Sequence, residues 1–149
     1  MTDNQQLDER IGRITRTPFR SRFHLRDSEV DYIAARDMDT MKRHAEDFIA
    51  ARLAPRNPPR DGKQTPWKGH PVFLAQHATA TCCRTCLQST HGITAGHALT
   101  AAEQSEVVAV ICRWIELELA AAPARRSAPA PPTAVPRRSR RAVMQPALF

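Results

Sequence analysis

Three of the four cysteines and three of the six histidines fall in one stretch. It reads His70-Pro-Val-Phe-Leu-Ala-Gln-His77-Ala-Thr-Ala-Thr-Cys82-Cys83-Arg84-Thr-Cys86-Leu-Gln-Ser-Thr-His91. Thiolate and imidazole are the preferred ligands of zinc, and small domains use them at close spacing. On a helix, Cys82 and Cys86 share a face at i, i+4. Cys83 and Cys86 converge at i, i+3, either on a helix or in a turn that precedes one. Cys82 and Cys83 point about 100° apart on a helix, so all three need not hold the same ion. Gly92 is placed to end such a helix with His91 at its C-terminal end. His77 lies upstream of the cysteines and could fold back. Cys83-x2-Cys86-x4-His91 also matches the first three positions of a zinc knuckle. The fourth position is Gly96, and His97 is one residue late. The favoured ligands are therefore His77, Cys83, Cys86 and His91, with Cys82 and His70 as substitutes and zinc as the cofactor. Two alternatives stand beside this. The residues are ordinary buried thiols and histidines, packed by the small side chains of Ala78, Thr79, Ala80 and Thr81. Or the Cys-x-x-Cys spacing serves redox chemistry, with a thiolate favoured near Arg84 or a helix N-terminus.

The surrounding pattern is helical. Leu7, Ile11 and Ile14 make one apolar stripe over residues 3–16, which Pro18 should end. Ser28 or Asp27 can cap a second helix carrying Val30, Ile33 and Ala34. Asp37 or Asp39 can cap a third, with Met41, Ala45, Phe48, Ile49 and Leu53 at helical spacing and a stop near Ala54. His44 beside that stripe reads as a buried, hydrogen-bonded histidine. Residues 55–71 form a long Pro/Gly loop. Val72, Phe73 and Leu74 are too short a run to assign. Thr100 and Glu103 form a capping box for a last helix. Its apolar face is Val108, Ile111, Cys112, Ile115 and Leu119, flanked by Val107 and Trp114, and it should fade near Ala121, before Pro123. Cys112 reads as a core cysteine. The predicted fold class is mainly α, a small compact helical domain with a long Pro/Gly loop, a Cys/His cluster and a disordered C-terminal tail. The predicted organisation is an N-terminal extension, helical or flexible, over 1–17, the domain over 18–121, and a Pro/Arg-rich tail over 122–149.

The chain has 149 residues and a formal net charge of +7, a length that suits one domain. Residues 10–26 carry six arginines and no acid, and so do residues 122–149. The middle is nearly neutral. The tail is too poor in large apolar residues to offset its ordering entropy. Its arginines could bind nucleic acid or another acidic partner nonspecifically. No apolar run approaches the roughly 20 residues that span a bilayer, so no membrane role is expected. Residues 1–10 lack a secretory-signal pattern, so the expected location is cytoplasmic, with reduced thiols.

Two motifs fail. Gly62-Lys63-Gln64-Thr65 lacks the earlier glycine of a phosphate loop, and Gln64 stands at its Ser/Thr position. No nucleophile signature groups the Ser, His and Asp residues. A larger pattern does match. It comprises Phe19-Arg20-Ser21-Arg22-Phe23-His24-Leu25, His44-Ala45, Phe48-Ile49, Arg52-Leu53-Ala54-Pro55 and Asp61-Gly62-Lys63-Gln64-Thr65-Pro66. It continues through Gly69-His70-Pro71-Val72-Phe73, the run from Ala75 to Arg84, Cys86-Leu87, His91-Gly92-Ile93 and the helix around Trp114-Ile115. Over roughly residues 18–120 the chain resembles a small bacterial family known as domain of unknown function 4186. The resemblance implies no activity. In that pattern a Trp precedes the histidine matched by His91; here Thr90 stands there.

Three functions compete. The first is a small zinc-binding helical domain acting as a binding module, with nucleic acid as partner through Arg20, Arg22, Arg26, Arg84 and the tail. The second is a metal-dependent enzyme with an open coordination position. There His70 or His24 would serve as acid or base, and Lys63, Gln64 and Arg84 would bind an anionic substrate. The third is a thiol redox sensor. Arg20, Arg22, Lys63 and Arg84 are the candidate anion-binding residues.

Overall fold

The computed structural model describes residues 3–127, which hold six α-helices, one 3-10 turn and no strand. The helices are α1 (Asp3–Thr15), α2 (Asp27–Arg36), α3 (Met38–Arg52), α4 (Pro71–Ala78), α5 (Arg84–His91) and α6 (Ala101–Ser127), and the 3-10 turn is Arg20–Arg22. The expectation of a mainly α domain holds. The tail expected to be disordered lies, from residue 128 on, outside the described residues.

Helix α6 is the spine, and α1, α3 and α4 pack around it. The core joins Met41, Ala45 and Ile49 of α3 and Leu53 at its C-cap with Val72, Ala75 and Ala78 of α4 and Val110, Ile111 and Ile115 of α6. Helix α4 is buried along its whole length, from Pro71 to Ala78. A helix covered on every side needs no polar face, so its sequence shows no helical period. The same crowding widens the apolar face of α6. Val107, Val108 and Trp114 are buried with it, while Cys112 and Leu119 are half-buried and packed against the core.

The caps explain the boundaries. Glu103 N–H donates to Thr100 Oγ1 (3.0 Å) and Thr100 N–H to Glu103 Oε1 (2.9 Å), the capping box expected from sequence. Asp37 caps α3 by accepting from Thr40 N–H (2.8 Å). Helix α2 differs from expectation. Its N-cap is Arg26, not Asp27 or Ser28, because Glu29 reaches back to accept from Arg26 N–H at 2.8 Å. Helix α6 also runs past the expected stop, through Pro123 to Ser127. Alanines favour helix on both sides of that proline, and their propensity opposes its cost, a missing N–H donor and a ring that crowds the carbonyl four residues back.

Helix α1 packs against α6. Ile11 and Ile14 are buried. Asp8 accepts from Arg113 at 2.6 and 3.0 Å, tying α1 to α6.

Candidate metal centre

The polar run between α4 and α5 is a tight turn closed by its own side chains. Ala80 takes the left-handed conformation, φ 59°. Thr79 Oγ1 donates back to Ala75 O (2.7 Å), and Thr81 N–H donates to Gln76 O (2.9 Å). The Gln76 amide donates to Thr81 O (3.0 Å) and to Thr65 Oγ1 (3.3 Å). Thr65 in turn donates to Cys82 O at 2.8 Å. These buried polar groups satisfy one another, which is the condition for burying them. Their combined effect is to fix where Cys82 and Cys83 leave the turn.

Cys83 is the N-cap of α5, and its sulfur accepts from Cys86 N–H at 3.4 Å. Gly92 closes the same helix in the left-handed region, φ 73°. The cysteines thus meet at a turn running into a helix. The Sγ atoms of Cys82, Cys83 and Cys86 all lie within 4.8 Å of one another. Sulfurs around a tetrahedral zinc stand about 3.8 Å apart, given Zn–S bonds of about 2.3 Å, so a small movement would close the cluster on an ion.

Arg20 reaches the cluster from the 3-10 turn. Its guanidinium donates to Cys86 Sγ (3.3 Å), lies 3.8 Å from Cys82 Sγ, and bonds the carbonyl of His77. Hydrogen bonds from the Cys82 and Cys83 thiols, together with Arg20, push Cys86 down to about 5. Cys82 moves up through its bond to Cys86 and through burial, and Cys83 moves up mainly through burial. Of the three sulfurs, Cys86 is the one whose thiolate is favoured, with the Arg20 guanidinium beside it.

The histidines are placed differently. His77 Nε2 faces the carbonyls of Thr65 (3.2 Å) and Pro66 (3.1 Å), so the ring proton belongs there. Burial lowers its pKa and keeps the ring neutral. Nδ1 is left as a lone pair, buried and without a hydrogen-bond partner. His91 spends both nitrogens, accepting from Arg10 at Nδ1 (3.2 Å) and donating from Nε2 to Thr79 O (2.7 Å). His70 caps α4 through Nδ1, which accepts from Val72 N–H at 3.0 Å. Its proton therefore sits on Nε2 and points to His44 Nδ1, 2.8 Å away. His97 pairs with Glu103 at 2.9 Å, at the start of α6. Of the ligands expected from spacing, Cys83 and Cys86 come together, and Cys82, expected as a substitute, completes the close set. His77, His91 and His70 are not members of it.

A family model described as "Domain of unknown function (DUF4186)" matches residues 8–116. The chain belongs to this family. The DUF4186 match contains the whole cysteine cluster and begins inside α1, earlier than the start of the resemblance at residue 18. No solved structure matches the chain.

The DUF4186 domain also shows what its arginines do. Arg84, at 1% exposure, donates to the carbonyls of Leu53, Pro55, Thr94 and His97 at 2.8–3.2 Å. Its terminal nitrogens are spent on backbone, so it staples two loops rather than facing an anion. Lys63 and Arg22 are exposed. Sequence reasoning named Arg20 for anions, and it sits instead on sulfur. It also passed over Gln76 and Thr65 as builders of the turn, and Trp67 as the ring that covers His77. The polar residues Gln76, His77, Thr79 and Thr81, following the apolar run Val72–Ala75, are the available signal for the turn. Nothing in the spacing links Arg20 to the cysteines.

Proposed function

We propose that this domain is a zinc-dependent binding module whose ion is held by Cys82, Cys83 and Cys86, with His77 Nδ1 as the fourth ligand. The observation that carries this is the pairing of three mutually close sulfurs with one buried imidazole nitrogen that has no other partner. The carbonyls of Thr65 and Pro66 fix the tautomer that leaves Nδ1 free, as outer-shell acceptors do at zinc histidines. The charges also balance. Three thiolates and one divalent ion leave a single negative charge, and the Arg20 guanidinium offsets it. Such a site would contribute folding energy directly and would be kept loaded in a reducing compartment, which supports a cytoplasmic location.

Elemental analysis of the purified protein should find about one zinc per chain, and Cys83→Ser or Cys86→Ser should lose it. Less than about one tenth of an ion per wild-type chain would sink the proposal. A second reading is a metal-dependent enzyme with three thiolate ligands and an open position, favoured by the fact that His77 is outside the mutually close set. Cobalt-loaded protein separates the two. A closed site keeps its visible spectrum on adding azide, whereas an open one changes it.

A further inference from the structure

The exposed large apolar side chains among the described residues are Phe19 (42%) and Trp67 (60%), and they are neighbours. Their ring centroids lie 6.2 Å apart at 88°. Phe23 stacks alongside Trp67 at 6.2 Å and 11°, and Trp67 itself lies on the His77 ring. The indole is therefore held rigidly although more than half of it meets water. The guanidinium of Arg22 sits 5.0 Å from the Phe19 centroid and is itself exposed. Lys68, next along the chain from Trp67, is exposed too, and residues 10–26 contain no acid.

We propose that the Phe19–Trp67 ring pair, with Arg22 beside it, is a stacking platform for single-stranded nucleic acid. A rigid exposed indole offers a π-face at little entropic cost on binding, and bases stack on such rings whatever their identity. Arg22 and Lys68, both exposed, supply the complementary charge for the phosphates. The unpaired strand is the favoured occupant because a protruding ring needs a base that can splay out, which a duplex withholds. An anionic membrane is less well matched, since two rings on a loop and a turn lack the broad apolar face of an interfacial helix. The proposal is independent of the metal, because it uses the exposed part of the indole and not His77.

The test uses the full chain and end-labelled oligo-deoxythymidine, with affinity read from the anisotropy of the label at increasing potassium chloride for every variant, and tryptophan fluorescence added for the wild type. Binding should quench Trp67 and weaken as salt rises. Trp67→Leu should weaken it about tenfold or more, Trp67→Phe should keep most of it, and Arg22→Ala should lower the salt slope by about one. Circular dichroism confirms that the variants remain folded. Heparin, a polyanion without bases, should compete without quenching. Unchanged affinity in folded Trp67→Leu would overturn the proposal and assign binding to the basic ends. So would equal binding of a duplex, or tighter binding to phosphatidylserine vesicles than to the oligonucleotide.

Discussion

The indole of Trp67 lies flat on the imidazole of His77, with 4.0 Å between centroids and 10° between planes. An exposed ring thus forms the roof of a buried one. Loading cobalt at His77 should quench the fluorescence of Trp67. The quenching should vanish in Trp67→Phe, where only buried Trp114 still emits. Persistent quenching in that variant would mean that the metal sits elsewhere.

Arg20 is expected to tune the metal rather than the fold. Removing a group that bonds the ligating sulfurs typically costs about 10–100-fold in affinity. Arg20→Ala should therefore give up zinc to a chelator at least about tenfold more readily, with little change in helical content. Arg20→Lys should recover only part of this, because an ammonium cannot fork across Cys82, Cys86 and the His77 carbonyl. Wild-type affinity in Arg20→Ala would show that the guanidinium is a bystander.

Arg84 makes the opposite prediction. Arg84→Ala would leave four carbonyls without their donor and open a cavity at a fully covered site. Urea unfolding should show a loss of about 3–5 kcal/mol. A loss under about 1 kcal/mol would contradict the role as a staple.

The His70–His44 pair predicts an acid limb to stability. Burial first, then the neighbouring charges of His44 and Arg36, push His70 down to about 4, against 6.5 for the free side chain. The unfolded chain binds the proton more readily than the folded one. The stabilisation is therefore complete above about pH 6.5 and is lost as pH falls toward 4, amounting to roughly 2–3 kcal/mol. His70→Asn retains a capping group but has nothing to titrate. Its unfolding free energy should be flatter between pH 7 and 4.5, and an equally steep fall would place the effect on other groups.

Much of the architecture is legible in the sequence where one face of a helix meets the core. Met41, Ala45 and Ile49 mark α3, Thr100 and Glu103 mark the start of α6, and Gly92 marks the end of α5. Helix α4 is not legible, because burial on every side erases the alternation that periodicity needs. The cluster is legible in its members but not in its partners. Cys82, Cys83 and Cys86 are close in sequence, so local geometry brings them together. Arg20 arrives from the far end of the chain through the packing of the 3-10 turn on α4, and no local pattern encodes that. The role of His91 is hidden in the same way, since Arg10 reaches it from α1.

Helix α1 bears on how the protein can be shortened. A truncation beginning at residue 18, where the recognisable motifs start, would strip Arg10 from His91 and Asp8 from Arg113. It would also uncover the side of α6 against which Ile11 and Ile14 are buried. A chain cut there should unfold at lower urea than one that keeps Asp8 to Ile14.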